Sequence, residues 1–576
     1  MHDVHQQQPT RMQSLAFAGK VKCFQAKRVL NDVVSNVKKY SQSQSLTDAP
    51  IVGQSSTPLW TEGHAAEQNL TAGKIQNLRV ACRALDGVVI PAGEVFSFWK
   101  QTGRTTRGKG YVVGRELREG CLIPNLGGGL CQLSNALYNA ALKAGFQIIE
   151  RHAHSQHVPG SLAAVGRDAT VFWNYVDLRF SHQADFRIEA RLSKNHLHLR
   201  FRSLKQAQEE SAPVVDQSSQ PDAIGNCYSC NISSCFRNDP QEENDEKLGR
   251  AAILLDSYVP EFQTYLEQQD HSADTMFCPI HAQRFRAPAY RWKNPTRNPA
   301  IYATALTLAR SLRLRYLPSE GGALQRTLMQ FDRKLAEWYA RRIDYRTTHL
   351  IVSQNLLPHL WQLGVMGGRT FDVLANRYAM SEIQSKLDEA YKLHPTSSTL
   401  HDFRVDERIS AAETQALASA RKIITAHCGV AATMPGEVVI LPWDRPEPES
   451  RTSDSGQGTG LKTIGFPASP LGKKGIYELV DAVLGLDAEL LILGQANEGL
   501  AIPNSRRANL SELLECDVLV MPAYIEHSPR LLIRALAQGT PVIATEACGL
   551  PAQKGLMLIS RPDDTLIRQA LDRIFK

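Results

Sequence analysis

The hydrophobic pattern divides the chain into a first part of antiparallel character and a longer second part of alternating strands and helices. Apolar residues alternate along 186–192 and 197–201 across the turn 193–195, which predicts a β-hairpin. Between 133 and 144 they recur at helical spacing, which predicts a helix ended by Gly145. From about residue 248, short apolar strands alternate with helices, which is typical of parallel sheets covered on both faces. The predicted fold class is therefore multidomain, with an α+β domain followed by a pair of α/β doubly wound units.

Changes in composition set the expected domain boundaries. Two stretches rich in polar, proline and charged residues read as linkers, and a cysteine-rich connector overlaps the start of the first α/β half. The predicted segments are a polar lead-in at 1–68, the α+β domain at 69–203, a linker at 204–224, the connector at 225–285, the first α/β half at 245–444, a linker at 445–460 and the second half at 461–576.

A glycine run in the first domain precedes a cysteine that carries candidate chemistry. Gly127-Gly128-Gly129 leads directly into the predicted helix, which places Cys131 in its first turn. Backbone N–H groups at a helix N-terminus favour an anion, and a thiolate held there is the usual geometry of a nucleophilic cysteine. Candidate bases follow at His152, His154 and His157, and a candidate orienting carboxylate follows at Asp168. The competing interpretation is that Cys131 is a small core residue that opens a buried helix.

Several separated motifs in this region resemble the VanW family, which is named for an accessory protein of vancomycin-resistance clusters. The resemblance extends from about residue 70 to 180. It rests on Ala84-Leu85-Asp86-Gly87, on 90–98, on 127–132, on Glu150-Arg151-His152-Ala153-His154-Ser155 and on Gly166-Arg167-Asp168-Ala169-Thr170-Val171. It implies that the family's signature positions are Cys131, Gln132, Arg151, His154 and Asp168, and it favours His154 over His157 as the base. The accompanying hypothesis is a thiol-dependent domain that cleaves or transfers an acyl or amide group.

A second cysteine group predicts a metal or cluster site. Cys227 and Cys230 have C-x-x-C spacing, Cys235 follows closely, and Cys278 is the expected fourth ligand, with His281 as the second choice. Three or four thiolates suit either tetrahedral zinc or an iron–sulfur cluster, and the sequence does not decide between them. A redox C-x-x-C is the competitor, but no strand-then-helix setting of the thioredoxin kind surrounds it.

The last unit contains a loop that predicts a phosphate site. Met521-Pro522-Ala523-Tyr524-Ile525-Glu526-His527 leads into a helix for which Ser528 is the expected N-cap and Pro529 the expected first residue. A helix N-terminus after a strand, with an acid in the loop, suits a diphosphate and a ribose. The order of these features resembles the nucleotide-sugar half of retaining glycosyltransferases with the GT-B fold, and residues 245–576 would cover both halves.

The resemblance assigns donor-binding roles and also shows departures from the family pattern. It implies that Glu526 positions the donor sugar, and that Lys474 and the helix N-terminus stabilise the departing phosphate. The family's second acid falls on Arg534, and the first member of its basic pair falls on Ala468. An active transferase with a changed donor and an inactive scaffold or sensor therefore both remain open.

Composition narrows the function classes. The 576 residues carry a formal charge of only +7 at pH 7, which gives no case for a nucleic-acid partner. No run reaches the roughly 18 apolar residues of a membrane span, and the N-terminus lacks an export pattern, so a cytoplasmic location is expected. The predicted partners are a small-molecule or glycan substrate and a nucleotide-sugar donor. The predicted function is a bifunctional enzyme of cell-envelope or glycan metabolism, and the alternative is a non-catalytic binding and assembly protein.

Overall fold

A computed structural model describes residues 11–34, 36–60, 65–118, 121–153, 167–205, 248–316, 321–446, 461–494 and 498–576. The chain separates into two compact units. Unit 1 comprises Met1–Arg250, Arg341–His349 and Leu363–Thr370, and unit 2 comprises Ala251–Ala340, Leu350–Gln362 and Phe371–Lys576. Within the described ranges, none of the helices has both the length and the apolar character that crossing a bilayer requires.

Unit 1 is built from antiparallel strands and a few helices. Its elements are α1 (Arg11–Val34), β1 (Ile51–Pro58), α2 (Ala65–Leu85), β2 (Val89–Ile90), β3 (Val95–Ser97), α3 (Phe98–Thr102), β4 (Val113–Arg118), β5 (Cys121–Leu126), α4 (Leu130–Lys143), β6 (Gln147–Glu150), β7 (Arg179–Ser181), β8 (Phe186–Leu192) and β9 (His196–Ser203).

These strands form one larger sheet and two smaller ones. The four-stranded sheet has the order β1-β9-β8-β2, a three-stranded sheet has the order β3-β7-β6, and β4 pairs with β5. The predicted hairpin is present as β8 and β9, whose apolar side chains face the core. Helices α2 and α4 pack on this sheet, and their apolar sides join the strands in one hydrophobic cluster with Phe180, Phe186 and Phe201.

The predicted lead-in needs correction, because part of it belongs to the domain. Residues 51–58 form strand β1, which pairs along its whole length with β9 at the edge of the four-stranded sheet. The strand Ile51–Pro58 contains serine and threonine and lacks strong alternation of hydrophobic residues, so its sequence looks polar. Strand β1 is stabilised by its pairing with β9 and by the packing of α4 against it. Its own sequence gives little indication of a strand.

Unit 2 alternates strands and helices. Its first half contains β10 (Ala251–Leu254), α5 (Pro260–Glu267), β11 (Thr275–Cys278), α6 (Ala282–Phe285), β12 (Ile301–Tyr302), α7 (Thr304–Arg315), α8 (Gly321–Ala340), β13 (His349–Ser353), α9 (Leu357–Gln362), β14 (Thr370–Leu374), α10 (Met380–Leu393), α11 (Glu407–Ser419), β15 (Lys422–Thr425), α12 (Cys428–Thr433) and β16 (Val438–Ile440). The second half contains β17 (Lys462–Phe466), α13 (Ile476–Val483), β18 (Ala488–Ile492), β19 (Ser505–Arg507), α14 (Leu510–Leu514), β20 (Val518–Met521), α15 (Arg530–Ala537), β21 (Val542–Thr545), β22 (Leu556–Ile559) and α16 (Asp564–Phe575).

Both sheets of unit 2 have the doubly wound strand order. The first runs β12-β11-β10-β13-β14-β15-β16, and the second, which is parallel throughout, runs β19-β18-β17-β20-β21-β22. The direction of winding reverses between β10 and β13 in the first sheet, and between β17 and β20 in the second. Ligands of such sheets bind beyond the carboxyl ends of the strands, near this reversal. The fold class predicted from sequence, an α+β domain followed by two GT-B-like α/β units, is confirmed.

Helix α2 lies so close to the β4–β5 hairpin that a methyl group does not fit at Gly73. A Cβ built there would come within 2.0 Å of the Val113 carbonyl oxygen. We expect Gly73→Ala to destabilise unit 1 by about 1–3 kcal/mol through overpacking. Differential scanning calorimetry of the full chain should record a lower transition temperature.

Gly19→Ala is the matched control, because Gly19 also lies inside a helix, and a Cβ added there would have no atom within 4 Å. There alanine should leave the transition unchanged or raise it slightly, since it is the better helix former. Equal effects of the two substitutions would contradict the close packing of α2 on β4.

Candidate functional site

Cys131 lies in the first turn of α4, where the sequence places it. The helix begins at Leu130, and Gly129 is the N-cap residue with a φ of 99°. The thiol is half-buried, and its Sγ atom lies 3.6 Å from Thr170 Oγ1 and 3.9 Å from the Val171 carbonyl oxygen. The sulfur is therefore next to oxygen atoms of the 167–171 segment and is not sealed inside the apolar core.

The glycines before α4 are needed for packing inside the protein. A Cβ at Gly128 would lie 2.5 Å from the Gly114 carbonyl oxygen, and a Cβ at Gly129 would lie 2.1 Å from Lys74 Cγ. The groups that approach these two glycines closely belong to strand β4 and helix α2.

Two of the predicted signature residues, Arg151 and Gln132, bind backbone carbonyl groups near Cys131. Arg151 Nε donates to the carbonyl oxygen of Asp168 at 2.6 Å, and the Asp168 side chain is fully buried. Gln132 Nε2 donates to Thr57 Oγ1 at 2.9 Å and to the Pro58 carbonyl oxygen at 2.8 Å. The first contact fastens the 167–171 segment to the residue after β6, and the second fastens the end of β1 to the start of α4.

The predicted base lies outside the described residues, as does the alternative His157. Of the three candidate histidines, only His152 is described; it is exposed, and its Nε2 lies 3.2 Å from Glu150 Oε1. Among the described residues, no imidazole forms a hydrogen bond with Cys131 Sγ. A nucleophile–base pair of Cys131 and His154 therefore stays a prediction.

Lys74 is a buried amine beside this site that sequence reasoning missed. It is 3% exposed, its Nζ donates to the Leu59 carbonyl oxygen at 2.6 Å, and its chain passes under Gly129. Burial, with a smaller contribution from the charge of Arg115, lowers the pKa of Lys74 to about 7. The position of Lys74 directly beside the apolar stripe of α2 is the only feature of the sequence that could have indicated its burial.

The predicted metal site receives no support. Cys227, Cys230 and Cys235 lie outside the described residues. Cys278, the expected fourth ligand, is 2% exposed in β11 within an apolar cluster, and its burial raises the pKa of the thiol. In the described ranges no three side chains of ligand type come together. Cys278 is therefore better described as a core residue, and His281 accepts a hydrogen bond from the Arg284 backbone N–H at the start of α6.

A cavity of about 740 Å³ lies in unit 2 at the carboxyl ends of its strands. The first half contributes the residues that follow β10, β14, β15 and β16. The second half contributes the loop after β20 and the start of α15. The polar and aromatic lining includes Glu261, Arg291, Asn376, His427, Trp443, Asp444, His527, Ser528, Arg530 and Arg534.

The four predicted donor-binding residues lie around the start of α15. Ser528 and Arg534 line the cavity. Lys474 Nζ lies 2.9 Å from Glu526 Oε2, and Glu526 Oε1 accepts a hydrogen bond from the Ser528 backbone N–H at 2.8 Å.

The start of the helix differs from the prediction. Helix α15 begins at Arg530, and Pro529 occupies the N-cap position without a side-chain cap. Ser528 lies one residue earlier, where its backbone N–H is bound by the Glu526 carboxylate. The carboxylate in the loop thus replaces the expected serine cap as the group that orders this turn.

A glycine brings Lys474 to Glu526. Gly475 has a φ of 75°, and a Cβ there would lie 1.8 Å from the Pro522 carbonyl oxygen. The Lys473 carbonyl oxygen accepts hydrogen bonds from the backbone N–H groups of Tyr524 and Ile525 at 3.1 and 3.3 Å. The loop after β17 therefore lies directly on the loop after β20.

One ion pair joins the two halves of unit 2 across the cavity. Arg530 Nη1 donates to Glu261 Oε1 and Arg530 Nη2 donates to Glu261 Oε2, both at 2.6 Å. The Glu261 side chain has no exposed surface. The Asp444 backbone N–H also donates to Glu261 Oε1 at 2.8 Å. The guanidinium lies 5.2 Å from the ring centre of Trp443. The sequence gives no signal for this pair, because its members are 269 positions apart.

Two imidazoles of the cavity wall have lowered pKa values. Burial lowers the pKa of both His427 and His527, and for His527 the nearby charge of Arg377 adds to the effect. His427 Nε2 lies 2.7 Å from the Glu526 carbonyl oxygen, whereas His527 Nε2 has no hydrogen-bond partner among the described residues. An imidazole ring nitrogen can donate or accept one hydrogen bond, and the buried His527 Nε2 makes none with the described residues.

Comparison with known proteins identifies the first domain. The model of the family described as VanW like protein matches residues 73–202. An uncharacterized protein of Bacillus subtilis, YoaR, is 41% identical over 107 residues, which is 19% of this chain and 35% of that protein. The vancomycin B-type resistance protein VanW of Enterococcus faecalis is 34% identical over 115 residues, or 19% of this chain and 42% of that protein. Residues 73–202 are a VanW-like domain, and the chain spans less than half the length of either relative.

The chain also has a distant similarity to solved structures of other proteins. Sucrose-phosphate synthase from Thermosynechococcus elongatus has 16% sequence identity and a TM-score of 0.37, and the match covers 57% of this chain and 90% of that one. The fold class of unit 2, two doubly wound α/β halves, follows from its own strand orders.

Lys74 predicts a pH dependence of stability. Because the folded state holds its pKa near 7, below the ordinary value of 10.5, the unfolded state binds the additional proton between these pH values. The contribution of Lys74 should therefore make unit 1 more stable as pH rises from about 7 to 10.5. Thermal unfolding at pH 7 and pH 10 should show that Lys74→Met is stabilised relative to wild type more strongly at pH 7.

Lys194→Met is the control, because Lys194 is exposed, and this variant should retain the pH dependence of the wild type. The same pH dependence in both variants would contradict a lowered pKa of the buried Lys74 amine.

Proposed function

We propose that unit 2 binds a nucleoside diphosphate sugar in the cavity and transfers its glycosyl group to an acceptor hydroxyl. The observation that carries the proposal is the convergence of the α15 N-terminus and the Lys474–Glu526 pair beside a cavity at the carboxyl ends of two doubly wound sheets. Parallel α/β sheets use this place for ligands, and a helix N-terminus there favours phosphate oxygens.

The charges around the start of α15 suit a diphosphate that leaves with additional negative charge. Arg530 is the first residue of α15 and Lys474 lies beside the loop before it, and each is held by a carboxylate, Glu261 and Glu526 respectively. Cationic side chains fixed in advance stabilise charge that develops on a leaving group without reorganising during the reaction. In the proposed reaction the bond from the anomeric carbon to the diphosphate breaks. The acceptor oxygen forms the new bond to that carbon, and its proton passes to the departing diphosphate.

Glu526 is proposed to position the sugar, and His527 is proposed to contact it. The carboxylate is fixed by Lys474 and by the Ser528 backbone, while the adjacent His527 offers a ring nitrogen without a partner among the described residues. Arg534 lines the same cavity where the family pattern has a glutamate. A cation at this position favours a donor that differs in its ribose or sugar portion from that of the family.

The alternative is a sensor that binds a nucleotide sugar without turnover. Two departures from the family pattern, Arg534 and Ala468, support this alternative. Both functions require binding in the same cavity, and only the transferase consumes the donor.

A second activity in unit 1 belongs to the same proposal. The VanW-like domain would use Cys131 to cleave or transfer an acyl or amide group, which would make the chain a bifunctional enzyme of cell-envelope or glycan metabolism. The half-buried sulfur in the first turn of α4 supports this role, as does the similarity to the vancomycin B-type resistance protein VanW of Enterococcus faecalis.

For unit 2 we expect micromolar to millimolar binding of at least one nucleotide among UDP, GDP, ADP and their glucose conjugates, measured by isothermal titration. Lys474→Met should weaken this binding roughly 10- to 100-fold, because it removes a charge-assisted hydrogen bond to phosphate. Lys474→Arg should retain most of the affinity.

Lys554→Met is the control, because it removes an exposed lysine that is not part of the cavity lining. Circular dichroism should show that every variant keeps the wild-type helix content. Release of free nucleoside diphosphate from a bound donor would support the transferase, and binding without release would support the sensor. If no nucleotide binds to the wild-type chain, both functions of the cavity are wrong.

For unit 1 we expect iodoacetamide to alkylate Cys131 at neutral pH faster than the buried Cys82, as followed by peptide mass spectrometry. Cys131 is half-buried, whereas Cys82 is 3% exposed. Cys131→Ser should abolish labelling of that peptide, and Cys23, which is exposed and lies outside the domain core, provides the reference for an ordinary free thiol. Labelling of Cys131 no faster than of Cys82 would remove the thiol mechanism.

A further inference from the structure

Among the side chains of α1 that the structure describes, the half-buried ones lie on one face. Val21, Gln25, Arg28 and Asp32 are half-buried at spacings of four, three and four residues, which places them on one side. Gln25 Nε2 donates to the Trp173 carbonyl oxygen at 3.2 Å, and Arg28 Nη1 donates to Glu150 Oε2 at 2.5 Å. The side that holds α1 on unit 1 thus combines these polar contacts with the stacking of Phe24 on Tyr175.

The opposite face carries an exposed apolar stripe. Met12 is 79% exposed, Leu30 is 67% exposed, and Val33 and Val34 are 75% and 87% exposed. Small exposed residues at 16, 19, 23 and 26 continue the stripe between Met12 and Leu30 at alternating spacings of four and three. An amphipathic surface helix normally buries its apolar side, and here the apolar side is the one left in water.

Lysines border this stripe, and no acid does. Lys20 and Lys27 lie along one edge and Lys22 lies along the other, and all three are exposed. The single acidic residue of α1, Asp32, is on the packed face, where it binds Arg179. The outward face of the helix is therefore both apolar and positively charged.

The apolar and basic character of the exposed face of α1 favours one kind of binding partner. In a pair of identical α1 helices, the lysines that border the seam would face each other, and like charges at these positions oppose pairing. An anionic lipid surface instead matches the charge, and long lysine side chains can reach its headgroups while the apolar stripe enters the interface. We propose that α1 is a docking helix by which this protein binds the surface of an anionic bilayer, lying in the plane of the membrane without crossing it.

The experiment is co-sedimentation of the full chain with vesicles. Phosphatidylcholine vesicles containing phosphatidylglycerol are compared with vesicles of phosphatidylcholine alone, at low and at high salt. Binding is expected only to the anionic vesicles and should weaken as salt rises. The triple variant Lys20→Ser, Lys22→Ser, Lys27→Ser should lower the partition coefficient by tenfold or more, because each lysine near an anionic surface contributes about fivefold. The variant Leu30→Ser, Val33→Ser should weaken binding at both salt concentrations.

The matched control replaces three exposed lysines outside α1, Lys194, Lys392 and Lys554, by serine. It changes the net charge by the same amount and should bind like wild type. Equal loss in the control, or unchanged binding in the α1 variants, would overturn the proposal. So would the absence of binding to anionic vesicles together with a dimer in light scattering that Leu30→Ser, Val33→Ser dissociates, since a second copy would then be the occupant. Circular dichroism confirms that each variant is folded.

Discussion

The cavity of unit 2 depends on a carboxylate that is entirely removed from water. Glu261 has no exposed side-chain surface, and both of its oxygens are bound by the guanidinium of Arg530. A buried carboxylate that loses its cationic partner destabilises the folded protein strongly. The contact between the two halves of unit 2 therefore requires Glu261 and Arg530 to stay paired. Arg530 is also the first residue of α15. The same contact therefore fixes the helix N-terminus over the carboxyl ends of the first sheet.

The phosphate-binding chemistry proposed for this helix rests on a second close contact. Gly475 allows the loop after β17 to touch the loop after β20, and this brings Lys474 to Glu526. A cation that is already held by a carboxylate keeps its geometry before a ligand arrives, which reduces the conformational freedom lost on binding. Arg534 adds a further positive side chain to the cavity wall. The local balance of charge is consequently suited to an anionic ligand.

Unit 1 shows how a motif can have a packing role and a candidate chemical role together. Gly128 and Gly129 are required because β4 and Lys74 occupy the space that a side chain would need. The same packing holds Cys131 at the first turn of α4, half-buried and beside Thr170. Arg151 and Gln132 complete this arrangement by binding backbone carbonyl groups. The signature positions thus form a structural frame around the sulfur, and the frame is present whatever reaction it serves.

The sequence by itself determined the class of the fold, the hairpin of unit 1, the alternation of unit 2 and the neighbourhood of Cys131 and α15, because these follow from periodicity and turn chemistry within short windows. Tertiary structure alone decided that β1 joins the first sheet, that Lys74 is buried, that Cys278 is a core residue and that Glu261 binds Arg530. Each of these outcomes depends on partners far away in the chain. Strand pairing and the burial of polar groups depend on residues that are close in space. A local sequence pattern does not show which distant segment will supply those residues.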